Sequence, residues 1–149
     1  MYRNILVPTD GSTMSARAEK AALEIARRFK ARVTVVHVVA PFSPAALGEI
    51  RGLGPAPLTR EEYAKASEKR GQASLRKVAG RAKRAKVAAS TVLVTGRDPA
   101  EALVKAVREH RCDLIVMASS SRAGIERIFL GSVASDVLAG TRVPTLICH

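Results

Sequence analysis

Two polar segments in the last third of the chain carry residue types that hold anions. The sequence Ser-Ser-Ser-Arg at 119–122 directly follows the apolar run Leu114–Ala118, and Gly131 with Ser132 precedes a short segment with helical apolar spacing. Hydroxyls and a guanidinium donate hydrogen bonds to phosphate, and a helix N-terminus adds free N–H groups with a partial positive charge. These segments predict an anion site, although a solvated serine turn and an ordinary capped helix account for the same residues.

A third polar segment follows the first apolar run of the chain. Thr9, Asp10 and Gly11 come after the strand-like sequence at 4–8. A carboxylate there could help to hold a magnesium ion beside phosphates. Asp-Gly is also a common turn sequence, so the same residues fit a turn without a ligand.

Strands and helices alternate along the chain in the sequence pattern. Strands are predicted at 4–8, 32–39, 88–95, 114–118 and from Val143 to Cys148. Helices are predicted after the capping residues Ser12, Thr59 and Asp98 and from Ser132, and the second of them extends to about Lys86. Five strands separated by helices predict an α/β fold with an open parallel sheet sandwiched by helices.

The apolar spacing within the predicted helices assigns their buried faces. The apolar stripe of the first helix consists of Met14, Ala18, Ala22, Ile25 and Phe29. The third helix is expected to bury Ala100, Leu103, Val104 and Val107, and the last helix holds the apolar residues Val133, Val137 and Leu138.

Length and composition predict one cytoplasmic domain at residues 1–149. The chain has 149 residues, of which 47% are hydrophobic, which is enough for one core. We expect neither a signal peptide nor a membrane span, because the first strand starts near Met1 and no apolar run approaches about 20 residues. The three histidines are too scattered to predict a metal site, and the two cysteines do not form a disulfide framework.

The sequence favours a binding protein over an enzyme. It has no phosphate-binding GxxxxGK[ST] loop, no Ser-His-Asp arrangement at a recognisable turn and no paired carboxylates.

Positive charge is concentrated in the predicted second helix. The net charge of the chain is +12, and residues 60–86 contain ten Lys or Arg and three Glu, a net of +7. A solvated helix face explains this composition. The other interpretation is weak, salt-sensitive contact with nucleic acid or an acidic partner, with little base stacking because the chain has only three Phe, two Tyr and no Trp.

Three segments together resemble the universal stress protein family. The family has the motif Gly-x2-Gly-x9-Gly-Ser/Thr before its last helix. Gly131 and Ser132 match its end, whereas Ala118 and Ser121 stand where its first two glycines fall. NILVPTDGS at 4–12 and VTVVHVV at 33–39 are similar to the family's first two strands.

The resemblance implies a strand order of 3-2-1-4-5 and an adenine-nucleotide site where that order reverses. The ligand would be ATP or AMP, with or without Mg²⁺, and slow ATP hydrolysis is the most catalysis that we expect. Adenine would be bordered by Pro8, Asp10, Val38 and Met117, and Thr9 would belong to the same site. Ribose and phosphates would lie near Ala118, Ser119, Ser121, Arg122, Gly131, Ser132 and Val133. Each of these residues also has a structural interpretation as a turn or core residue.

The resemblance also implies a homodimer through the strand from Val143 to Cys148, with Val143, Leu146 and Ile147 at the interface. The function that follows is a dimeric stress-response module, regulatory or protective, that binds an adenine nucleotide. The alternative is a stress-family scaffold that binds no nucleotide and acts through its basic helix.

Overall fold

The computed structural model describes residues 1–43, 59–119 and 130–149, which form five strands and four helices. In chain order these are β1 Asn4–Pro8, α1 Thr13–Phe29, β2 Arg32–Val39, α2 Arg60–Arg84, β3 Ala89–Thr95, α3 Pro99–Glu109, β4 Leu114–Ala118, α4 Ser132–Gly140 and β5 Thr145–Cys148. Within these ranges no helix combines the length and apolarity that a membrane span requires.

The strands form one parallel sheet in the order β3-β2-β1-β4-β5, which confirms the predicted fold class and strand order. Strand β1 is central: Ile5 pairs with Val33 of β2 on one side and with Leu114 of β4 on the other. Because helices cover both faces of the sheet, the side chains of Ile5, Leu6 and Val7 are fully buried.

Each face of the sheet has its own apolar cluster and its own pair of helices. The cluster under α1 and α2 contains Ile5, Val7, Val33, Val35, Leu75, Val78 and Val116. The cluster under α3 and α4 contains Leu6, Val36, Leu103, Val107, Ile115, Met117 and Val137. The alternation of residue numbers in β1 and β2 between the clusters follows from the two-residue period of a strand.

A polar cluster fixes the amino end of β1 in the sheet. The Asp113 carboxylate accepts hydrogen bonds from the backbone N–H groups of Arg3, at 2.8 Å, and Asn4, at 3.1 Å. The buried Asn4 side chain donates to the His110 carbonyl at 2.8 Å and accepts from the Thr34 hydroxyl at 3.0 Å. The register of β1 with both of its neighbours is therefore held by side chains as well as by backbone pairing.

The predicted helix starts are confirmed by their capping hydrogen bonds. The Ser12 hydroxyl accepts from Ser15 N at 3.1 Å, and Thr59 and Glu62 form a complete capping box. The Asp98 carboxylate accepts from the backbone of the first turn of α3, after Pro99. Side chains thus satisfy N–H groups that a helix start leaves without backbone partners.

Two predicted strand starts were wrong by one or two residues, and the second helix ends close to its predicted position. Strand β5 begins at Thr145 rather than Val143, because Val143 N donates to the Thr141 hydroxyl and Pro144 has no N–H. Helix α2 ends at Arg84, since Lys86 adopts a left-handed conformation with φ of 57°. Strand β3 begins at Ala89, which pairs with Val33 of β2, rather than at residue 88.

Two residues that were predicted to face the core are exposed. Phe29 is 44% exposed at the end of α1, where its ring packs edge-on against Tyr2 with centroids 5.7 Å apart. Leu138 of α4 is 42% exposed. The buried face of α1 instead includes Leu23 and Ala26, so the apolar stripe is rotated from its predicted position.

The two glycines of α2 differ in their surroundings, which predicts opposite effects of alanine. A Cβ on Gly71 would lie 2.5 Å from Leu93 Cδ1 and 2.9 Å from His37 Cδ2, whereas a Cβ on Gly80 would meet only the end of the Arg84 side chain, at 3.6 Å. We expect Gly71→Ala to lower the free energy of unfolding by about 1–3 kcal/mol through overpacking. Gly80→Ala should raise it by up to about 1 kcal/mol through helix propensity.

Urea unfolding of the two variants beside the parent protein measures both effects. If Gly71→Ala stabilises the protein as much as Gly80→Ala does, α2 does not pack against β2 and β3 as described.

Candidate functional site

A cleft of about 240 Å³ lies at the carboxyl ends of the central strands. Five parts of the fold form it: the β1–α1 turn, the end of β2, the start of α3, the end of β4 and the start of α4. The lining residues are Pro8, Thr9, Asp10, Ser12, Met14, Ser15, Val36, Val38, Pro99, Leu103, Met117, Ala118, Val133 and Ala134. The cleft lies where the strand order reverses, the position at which open α/β sheets bind ligands.

Seven of the residues that were predicted to form a site line this cleft. They are Pro8, Thr9, Asp10, Val38, Met117, Ala118 and Val133. They come from three strands, a turn and a helix, so the fold brings together residues as far apart in sequence as 8 and 133.

The remaining predicted site residues have other positions. Ser119 is buried, and its hydroxyl lies 2.7 Å from His149 Nδ1, toward the end of β5. Gly131 and Ser132 form the start of α4, next to the lining residue Val133, but are not themselves in the cleft wall. Ser121 and Arg122 lie outside the described residues.

Sequence reasoning missed seven of the lining residues: Ser12, Met14, Ser15, Val36, Pro99, Leu103 and Ala134. Val36 could have been found, because it is two residues before Val38 and therefore on the same face of β2. Leu103 and Ala134 depend on how α3 and α4 pack on the sheet, and helical spacing marks them only as buried.

The cleft combines an apolar slot with a polar edge. Val36, Val38, Leu103 and Met117 supply aliphatic and thioether walls, and the β1–α1 turn supplies the Asp10 carboxylate and the Ser12 hydroxyl. A few oriented polar groups beside apolar walls are typical of small-molecule sites. A flat heteroaromatic ring with a hydroxylated substituent suits this distribution.

Asp10 is held in its charged form by the turn that contains it. Its carboxylate accepts a hydrogen bond from Ser12 N at 2.9 Å. Partial burial raises the pKa of the Asp10 carboxyl, but the hydrogen bonds from Ser12 and Ser15 together outweigh burial, so the pKa lies below its ordinary value. The cleft therefore has a fixed negative charge at its edge at neutral pH.

Thr9 points inward and organises the turn. Its hydroxyl donates to Glu19 Oε1 at 2.7 Å and accepts from Gly11 N at 3.2 Å, and its backbone N–H donates to the Val36 carbonyl at 2.9 Å. Gly11 has φ of +80°, a conformation that favours glycine. Thr9 is thus a support for the turn, and its hydroxyl is already used within the protein.

The buried carboxylate of Glu19 links this turn to α2. Glu19 is 2% exposed and forms an ion pair with Arg81, whose side chain is 42% exposed. Its other oxygen accepts from Thr9 and lies 3.3 Å from the Ser15 hydroxyl. A glutamate on a basic helix is expected to be solvated, and nothing in its sequence context indicated this contact.

The side chain of His37 extends from β2 toward Gly71 of α2. Burial is the main reason that the pKa of His37 is below its ordinary value; nearby Arg70 lowers it further, while the Thr9 backbone and Asp10 act in the opposite direction. His37 is therefore neutral at physiological pH and adds no positive charge to the site.

The N-terminus of α4 opens beside the cleft. Gly131 is the capping residue, with φ of −61° and ψ of 153°, and makes no side-chain capping bond. The lining residues Val133 and Ala134 belong to the first turn of α4. Among the described residues no side chain caps this helix start, and the free N–H groups of a helix N-terminus can bind an anion.

Comparison with known proteins gives one consistent result. The sequence profile of the Universal stress protein family matches residues 1–149. A universal stress protein of Methanocaldococcus jannaschii is 36% identical over 149 residues, which cover 99% of this chain and 82% of that protein.

Solved structures agree with the sequence comparison. A universal stress protein family member from Burkholderia pseudomallei superposes with a TM-score of 0.76 at 32% identity, covering 99% of this chain and 96% of that one. A universal stress protein crystallised in complex with cAMP gives a TM-score of 0.72 at 30% identity, with coverages of 99% and 97%.

The Glu19–Arg81 pair predicts unequal costs for removing its two members. Arg81→Met leaves a carboxylate buried without a counter-charge, which should lower the free energy of unfolding by about 3 kcal/mol or more. Glu19→Gln leaves an arginine that can turn toward solvent, so we expect a clearly smaller loss. Chemical denaturation of both variants and of the double variant tests this order; equal losses would show that Glu19 is not the buried member of the pair.

Proposed function

The chain belongs to the universal stress protein family, and we propose that it binds an adenine nucleotide in the cleft at the carboxyl ends of β1, β2 and β4. The observation that carries this proposal is that an apolar slot, a charged carboxylate and a helix start with no side-chain cap among the described residues meet where the strand order reverses. A solved structure similar to this chain is a complex with cAMP. Like ATP and AMP, cAMP consists of adenine, ribose and phosphate.

The base would occupy the apolar slot. Val38 and Met117 come from strands on either side of β1 and line the slot together with Leu103 of α3. Burial of a purine between such side chains is favourable by roughly 25 cal/mol per Å² of apolar surface. Backbone groups at the carboxyl end of β2 and in the β1–α1 turn would select adenine by hydrogen bonding.

The sugar and phosphates would extend from the slot toward α4. Asp10 can accept hydrogen bonds from ribose hydroxyls, because its carboxylate is ionised at neutral pH. The phosphates would lie at Gly131 and Ser132, where backbone N–H groups and a hydroxyl are available. Ser121 and Arg122, which lie outside the described residues, would donate hydrogen bonds to the same phosphates.

Replacement of the family's first motif glycine by Ala118 is compatible with this site. Ala118 is the last residue of β4, pairs with Cys148 and is not among the described residues with positive φ. An alanine in extended conformation is unstrained, and its methyl group is the smallest side chain that could replace hydrogen in the cleft wall. The substitution therefore narrows the cleft without distorting it.

We propose binding and regulation, rather than turnover, as the role of the site. Asp10 is the only carboxylate among the described residues that line the cleft, and general acid–base hydrolysis draws on a second positioned group. In the described part of the chain, no cluster of three or more His, Cys, Asp and Glu could hold a metal ion. Any Mg²⁺ would accordingly arrive with the phosphates of ATP, with Asp10 beside it.

Calorimetric titration with ATP, AMP and adenosine, with and without Mg²⁺, tests the proposal. We expect saturable binding of all three, with ATP tightest because more of its phosphates meet α4. Gly131→Leu should weaken ATP binding by about tenfold or more, equivalent to about 1.4 kcal/mol of phosphate binding, and leave adenosine unchanged. Gly131→Ala, whose side chain is much smaller, is the control.

Absence of heat and of a thermal shift with millimolar ATP would overturn nucleotide binding. Unchanged ATP affinity in Gly131→Leu would place the phosphates away from α4.

We also propose that the protein is a homodimer built on β5. This strand is at the edge of the sheet and has Leu146 41% exposed, with Val143 and Ile147 half-buried beside it. An apolar edge strand is a template for pairing with a second copy about a two-fold axis. Pro144 precedes the strand and removes no hydrogen-bond donor from it.

Sedimentation velocity at micromolar concentration tests the dimer with a matched pair of variants. Leu146→Lys should produce a monomer, because charge on the β5 edge would be desolvated at the interface. Phe29→Lys alters an equally exposed apolar residue on α1 and should leave the dimer intact. A parent protein that sediments at 15.9 kDa would refute the dimer.

A further inference from the structure

The two helical layers of the sandwich differ sharply in charge. Helices α1 and α2, which cover one face of the sheet, contain thirteen Lys or Arg and five Glu, a net charge of +8. Helices α3 and α4, on the opposite face, contain two Lys or Arg and three acidic residues, a net charge of −1. Most of the +12 of the chain is thus displayed on one side of the molecule.

A groove of about 500 Å³ runs between the two basic helices. Its wall contains Lys20 and Arg27 of α1, both exposed, and Arg81 of α2, which is paired with Glu19. Glu24 is the only acidic residue among the described residues that line it. Lys77, one helical turn before Arg81, continues the positive surface along α2.

This basic layer has little of the chemistry that forms the centre of a protein–protein interface. Within the described residues, the exposed large hydrophobic side chains are Met1, Phe29, Leu130, Leu138 and Leu146, and of these only Phe29, at the end of α1, belongs to the basic layer. Protein interfaces concentrate their binding energy in buried aromatic and apolar anchors. A partner for this surface must therefore be recognised mainly by charge.

The dimensions and the composition of the layer fit a duplex. Helix α2 has 25 residues and is about 37 Å long at 1.5 Å per residue, close to the length of one turn of a nucleic-acid duplex, about 34 Å. Single strands are held by stacking on aromatic side chains. Both helices lack tryptophan, and the tyrosine of α2, Tyr63, is buried with its hydroxyl bonded to the Ala40 carbonyl. The exposed Phe29 at the end of α1 already packs edge-on against Tyr2.

We propose that the layer formed by α1 and α2 binds the phosphate backbone of double-stranded nucleic acid without reading its sequence. Lys20, Arg27 and Lys77 neutralise phosphates and release counterions. Binding of this kind has a Kd on the order of 10⁻⁴ to 10⁻⁶ M at physiological salt and tightens steeply as salt is lowered. The surface is separate from the nucleotide cleft, so the two activities are tested independently.

Fluorescence anisotropy with a labelled DNA duplex of random sequence, at several salt concentrations, tests the proposal. In the variant with Lys20→Gln, Arg27→Gln and Lys77→Gln, we expect affinity at low salt to fall by about tenfold or more. The slope of log K against log salt should decrease in magnitude by about 0.9 for each phosphate that the variant no longer neutralises. Glutamine keeps helix propensity and all three residues are exposed, so the fold should be unaffected.

The matched control removes the same number of charges from the opposite side. Arg108, Arg111 and Arg142 are exposed and line a depression beside α3 and α4. Replacing all three by Gln gives the same net charge as the first variant, and we expect affinity to fall by no more than about twofold, the effect of net charge alone.

Three results would overturn the proposal. One is the absence of binding to the duplex at low salt, and another is an equal loss of affinity in the two variants. The third is that polyglutamate binds as tightly as the duplex and that the first variant loses affinity for both equally. That result would identify a general site for acidic partners. A duplex of RNA that binds as DNA does, together with weaker binding of a single strand, would support recognition of the phosphate backbone.

Discussion

The position of β1 between β2 and β4, buried on both faces, is the constraint on which the rest of the structure depends. Full burial of Ile5, Leu6 and Val7 requires helices on both sides, and pairing on both edges reverses the strand order there. At the amino end of β1, Asp113 accepts a hydrogen bond from the Arg3 backbone and Asn4 donates one to the His110 carbonyl, which fixes the start of the strand. At the carboxyl end, the β1–α1 turn and the first turn of α4 both line the cleft.

Glu19 transmits the position of the outer helices to this cleft. Its carboxylate satisfies the Thr9 hydroxyl and is neutralised by Arg81, so α1, α2 and the β1–α1 turn are held together by one buried charge. The arrangement directs Thr9 inward, and Asp10, the next residue, takes the exposed position at the cleft edge. Arg81 belongs to this support, whereas Lys20 and Arg27 of the same groove are exposed and form no ion pair with another described residue.

Local sequence signals predicted the elements well because their physical causes are local. Ser12, Thr59 and Asp98 cap helices through neighbours only two or three residues away, and short apolar runs identified the strands. Strand order is different, since it depends on which strands pair across long connections; here it came from family resemblance. The exposure of Phe29, the burial of Glu19 and the inclusion of Leu103 in the cleft all depend on helix packing, which short-range spacing does not encode. Seven predicted site residues line the cleft, whereas Ser119 faces His149.

The central claim is that an adenine nucleotide occupies the slot between Val38 and Met117. Methyl-resolved NMR during titration with AMP tests it most directly, because each wall of the slot carries a methyl group. We expect saturable shifts for Val38, Met117 and Val133, and unchanged signals for Val35 and Val78, which lie in the cluster on the opposite face of the sheet. Shifts confined to Val35 and Val78, or no shifts at millimolar AMP, would contradict it.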